Sequence, residues 1–63
     1  MTEHERILRE ALAAGKDPHT AVARWLYDIP GDTIVTGRQR NRAKSLNLQY
    51  LYDPNFNKKV LDK

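Results

Sequence analysis

The sequence predicts an all-α fold: a small three-helix domain made of a helical hairpin and a long basic third helix, followed by a short C-terminal tail. Three observations predict it. Apolar residues recur at helical spacing in three separate stretches. Each stretch opens on a capping signal. Glycine or proline punctuates the gaps between them. The chain has 63 residues, enough for one domain at most. A domain of about 60 residues buries only about 60% of its unfolded surface, so it is marginally stable alone and gains from a partner.

Helix 1 is expected from about residue 3 to 14. Thr2-Glu3-His4-Glu5 fits a capping box, in which Thr2 accepts from the Glu5 backbone and Glu5 reaches back. Ile7, Leu8, Ala11 and Leu12 supply the apolar stripe, and Gly15 supplies the left-handed stop. Asp17-Pro18 reads as an N-cap followed by proline in the first turn of helix 2. Its stripe is Ala21, Val22, Trp25 and Leu26, and Pro30-Gly31 places its end near Tyr27. The short connection makes helices 1 and 2 a hairpin or corner. Thr33-Ile34-Val35 has β-branched character but is too short to build a sheet. Thr36-Gly37-Arg38-Gln39 is a second capping box, so helix 3 runs from about Gly37 to Tyr52 and stops at Asp53-Pro54-Asn55. The helical domain is expected to span 1–55. The tail, 56–63, has room for a turn or two of helix with Phe56, Val60 and Leu61 turned inward.

Charge is distributed unevenly. Residues 1–32 hold six acids (Glu3, Glu5, Glu10, Asp17, Asp28, Asp32) and four bases (Arg6, Arg9, Lys16, Arg24), a net of −2. Residues 33–63 hold seven bases (Arg38, Arg40, Arg42, Lys44, Lys58, Lys59, Lys63) and two acids (Asp53, Asp62), a net of +5. No acid lies between Thr33 and Tyr52. Such asymmetry points to an anionic partner for the second half, or to a surface that pairs with the acidic first half. No apolar run is long enough to span a membrane, and the polar N-terminus does not read as a signal peptide. With no cysteine there is neither a disulfide framework nor a thiolate metal site. The expectation is a soluble protein of the cytoplasm.

Helix 3 carries most of the functional information. At about 100° per residue, Ala43, Leu46 and Tyr50 share the face that packs on helices 1 and 2. Arg38 and Arg42 share a solvent face. Arg40, Lys44 and Leu48 follow one another at four-residue spacing, flanked by Leu51 and Tyr52. Cations four apart repel mildly, and cations near the start of a helix oppose its dipole. A phosphate would relieve both costs. The plainer alternative is a solvated face whose long side chains cover apolar surface.

The run "RQRNRAKSLNLQYLY" resembles the fingers-helix motif of family A DNA polymerases, R-x-x-x-K-x-x-x-F-G-x-x-Y-G. Arg40, Lys44 and Tyr52 fall on the family's Arg, Lys and Tyr, and Asn47 fits its usual "NFG". The upstream stretch is similar too: Asp17, His19, Thr20, Val35, Thr36, Gln39 and Arg40 match, in order, the family's D-I-H-T and V-T-x-x-Q-R. The likeness covers roughly residues 6–53. It implies phosphate contacts for Arg40 and Lys44 and a template or stacking role for Tyr52. The departures are Leu48 at the Phe position, and Gln49 and Asp53 at the two glycines. The two magnesium-holding aspartates lie outside this stretch in the family, so the resemblance implies no polymerase chemistry here unless another chain supplies it.

No constellation supports catalysis. His4 reads as a solvent residue near a helix start, and His19 as a capping or packing residue; they form no metal-ligand set. Thr20 and Ser45 have no base and orienter, and there is no glycine-rich phosphate loop. Trp25 reads as the largest core residue rather than as half of a stacking pair with Tyr27. Tyr50 also reads as core, and Tyr52 as exposed. The expected function is therefore a non-catalytic binding module, with no cofactor and no metal. It would contact nucleic-acid or nucleotide phosphates through Arg38, Arg40, Arg42, Lys44 and Tyr52. The alternative is a protein-interaction subunit, accessory, inhibitory or of a virion, docking through Leu48, Leu51 and Phe56. A small chain of this kind suits a bacteriophage or mobile element, acting in the host cytoplasm or virion.

Overall fold

The computed structural model describes residues 2–52. They form α1 (Glu3–Ala13), α2 (Pro18–Leu26) and α3 (Gly37–Tyr52), with no strand among the described residues. This is the all-α three-helix fold expected from the sequence. The stop at Asp53-Pro54-Asn55, the boundary at 55 and the tail with Phe56, Val60 and Leu61 lie outside the described residues.

Local chemistry sets each helix end. Thr2 Oγ1 accepts the Glu5 N–H at 3.1 Å, one half of the expected capping box. Glu5 does not return to Thr2; its carboxylate pairs with Arg9 at 2.9 Å. Helix α1 closes at Gly15, whose φ of 70° is the left-handed conformation that glycine adopts without strain. The Lys16 N–H then reaches Ala11 O at 2.9 Å and the Gly15 N–H reaches Leu12 O at 3.2 Å, the paired bonds of a Schellman ending. Asp17 caps α2 and Pro18 occupies its first turn. Helix α2 ends in the same way without glycine: Asp28 takes φ 54°, and the Ile29 N–H reaches Arg24 O at 2.9 Å. Arg24 organises the following connection by donating from Nη1 to Pro30 O at 2.6 Å and Thr33 O at 2.8 Å. Thr36 and Gln39 form a complete capping box on α3, each side chain accepting the other's backbone N–H, at 3.2 and 3.0 Å.

Helix α2 packs on both α1 and α3. Leu8, Val22, Ala23 and Ala43 form the buried core, with Ile7, Trp25, Val35 and Tyr50 packed around it. Two expectations change here. Leu12 is 58% exposed, so the buried stripe of α1 is His4, Leu8 and Ala11 rather than one that includes Leu12. Trp25 is only half-buried, and the largest fully buried side chains are His4, Val22 and Asn47. Ala23 and Ala43 are fully buried in the core, and Trp25 packs against it from the margin.

Candidate functional site

Arg38, Arg40, Arg42 and Lys44 are all exposed on the first half of α3. By the helical step of about 100°, they divide between two flanks of the core-facing stripe formed by Ala43, Asn47 and Tyr50. Arg38 and Arg42 lie on one flank. Arg40 and Lys44 lie on the other, beside the start of α2. The four cations therefore do not form a single cluster. Among the described residues, Arg38, Arg42 and Lys44 form no ion pair.

Arg40 does form one. Its Nε–H donates to Asp17 Oδ2 at 2.7 Å, joining α3 to the N-cap of α2. The same carboxylate accepts the His19 N–H at 3.0 Å and the Thr20 hydroxyl at 2.8 Å. The hydrogen bond from Arg40 is the main reason the Asp17 carboxyl is held well below the usual carboxylate range, with Thr20 and the His19 N–H adding to it against the cost of partial burial. Asp17 is legible in the sequence as an N-cap, not as a partner of Arg40. Its capping signal is local, but its reach to Arg40, 23 residues away, depends on how α2 and α3 cross.

Both histidines join a polar bridge through the interior. The His4 Nε2–H donates to Asn47 Oδ1 at 2.7 Å, and Asn47 Nδ2 donates to His19 Nδ1 at 2.9 Å. One amide on α3 thus ties α1 to α2. His4 stacks on Trp25 with ring centroids 5.9 Å apart, and meets Tyr50 edge-on at 5.5 Å. The expectation that His4 faces solvent is overturned: it is 2% exposed and Asn47 is 0% exposed. The reason is periodicity. His4, Leu8 and Ala11 stand at i, i+4 and i+7, as do Ala43, Asn47 and Tyr50, so each polar residue occupies a core-facing position. Polarity masked a signal that spacing contained. Capping or packing was the expected role of His19, and it has both, through its backbone N–H and its ring. Every buried side-chain nitrogen and oxygen among the described residues has a hydrogen-bond partner. Burial raises the Tyr50 phenol, and its hydrogen bond to Glu5 adds to the rise while Arg9 opposes it.

The remaining candidates sit apart from this bridge. Tyr52 is 79% exposed at the end of α3, and Leu48 and Leu51 are exposed on the same helix. Phe56 lies outside the described residues. Among the described residues, no group of three or more histidine, aspartate or glutamate side chains is arranged to hold a metal ion. No helix among them is long and apolar enough to cross a membrane. No family model matches the chain, and no solved structure matches it.

Proposed function

We propose that the chain is a small, basic, non-catalytic module that contacts nucleic-acid or nucleotide phosphates through α3. The observation that carries this reading is the state of the α3 cations. Arg38, Arg42 and Lys44 are exposed on a helix with no acid of its own and form no ion pair among the described residues. Arg40 keeps the Nη edge of its guanidinium beyond the Nε–H given to Asp17. The likeness of Arg40, Lys44 and Tyr52 to the fingers helix of family A polymerases supports the same chemistry, with Tyr52 exposed where it can stack on a base. In this reading the module works in the cytoplasm, or in a virion if it is phage-encoded.

The test is a fluorescence-anisotropy titration with labelled single- and double-stranded DNA at two salt concentrations, for the native chain and an Arg40→Ala/Lys44→Ala variant. Binding should weaken steeply with salt, because each phosphate contact contributes about 0.7 to 0.9 to the logarithmic slope. The variant should bind more weakly with a flatter slope. No binding by the native chain at low salt would overturn the proposal.

A second reading rests on Leu48 and Leu51, two exposed leucines on one helix. In that case α3 docks on a larger protein, DNA affinity is negligible and the melting temperature rises when the partner is present.

A further inference from the structure

Arg40 differs from the other cations of α3 because a carboxylate already holds it. Asp17 cannot readily turn away from it. Its Oδ1 accepts the His19 N–H that begins α2, and its Oδ2 is shared between the Thr20 hydroxyl and the Arg40 Nε–H. Releasing Arg40 by rotating the carboxylate would also uncap the helix. Both side chains are part-exposed, so an anion arriving at the Nη edge of Arg40 meets a cation whose charge is already offset. It also meets a fixed negative charge close by. An exposed ion pair contributes little to stability. Its effect on a polyanion is mainly electrostatic, and that effect is unfavourable.

We infer that Asp17 is a built-in competitor of phosphate at Arg40: a carboxylate, fixed by the cap of α2, that weakens the hold of α3 on nucleic acid and reduces its salt dependence. The inference rests on the phosphate-binding reading above and concerns the regulation of that site. It divides the cations into two sets. Arg40, on the α2 flank, is restrained by Asp17, whereas Arg38 and Arg42 on the opposite flank are not.

The experiment replaces Asp17 by asparagine, which caps a helix as well as aspartate does. Asp17→Asn can keep both the bond from the His19 N–H and the fold while removing the charge. Asp17→Ser, another capping residue without charge, guards against a peculiarity of one variant, and circular dichroism checks that each stays helical. With labelled single-stranded DNA at low salt, both variants should bind about three- to tenfold tighter than the native chain. The gain should fade at high salt as screening removes the electrostatic difference. It should also shrink when Arg40→Ala is present, as a double-mutant cycle would reveal. Native-like or weaker binding by both variants, with native binding still lost in Arg40→Ala/Lys44→Ala, overturns the competitor role and leaves the phosphate-binding reading standing. A gain that persists in full beside Arg40→Ala also overturns it, because only diffuse charge would then be at work. No binding by the native chain at low salt removes both proposals.

Discussion

Helix α1 settles its charges within itself. Arg6 bridges Glu3 and Glu10, and Arg9 pairs with Glu5, all at the three- and four-residue spacings that place side chains side by side. Its acids Glu3 and Glu5 stand in the first turn, where the helix dipole favours them. Helix α3 is its opposite. It has no acid in its first turn and places Arg38, Arg40, Arg42 and Lys44 in its first half, against the dipole. Among the described residues, its only ion pair is with Asp17, the N-cap of α2. The difference shows what α3 depends on. It is held by its capping box and by the buried Asn47, while its cations stay exposed.

The largest test of that dependence is Asn47→Leu. It removes the acceptor for His4 and the donor to His19 while keeping the volume roughly constant. Each ring nitrogen left without its partner costs about 1–3 kcal/mol, so the loss should be about 2–6 kcal/mol in urea melts followed by circular dichroism. In a domain this small, such a loss approaches the whole stability. A cost under about 1 kcal/mol would show that the polar bridge is not what joins α1 to α3.

A smaller change makes α3 resemble α1. Arg38→Glu puts an acid in the first turn and four residues before Arg42, both favourable placements. Stability should rise by about 0.5–1 kcal/mol, while DNA binding weakens and its salt slope flattens. If binding is unchanged, the flank of Arg38 and Arg42 takes no part in it.

The smallest effect concerns acid. Asp17 has its carboxyl held low in the folded chain, below the ordinary value of 3.8. The unfolded chain therefore takes up that proton first as pH falls. The stabilisation is present above about pH 4 and is lost as the pH drops below it. Because the pair is part-exposed, the effect is modest. Asp17→Asn should flatten this portion of the stability–pH curve, and an unchanged curve would mean that the Arg40 pair adds nothing to stability.

Much of this architecture is legible in the sequence because it is local. The caps at Thr2, Asp17 and Thr36, the stop at Gly15 and the start of α3 depend on residues a few positions from one another. Helical spacing also places Ala43 and Tyr50 toward the core. His4 and Asn47 were harder to read because their side chains are polar. A polar residue at a core-facing position is buried favourably only if a partner meets it. The partners here lie 43 and 28 residues away, beyond the reach of any sequence window.

The sequence by itself determined three helices, where α1 and α2 begin and end, where α3 begins, and which one carries the positive charge. These follow from capping, turn chemistry and periodicity, all of which act over a few residues. Only the tertiary structure decided that Leu12 stays outside while His4 goes in, and that Asn47 joins the two histidines. It also decided that Arg40 meets a carboxylate while Arg38, Arg42 and Lys44 meet none among the described residues. Those outcomes depend on how α1 and α3 cross α2, because a hydrogen bond or an ion pair is decided by distances of about 3 Å, which helix periodicity alone does not define.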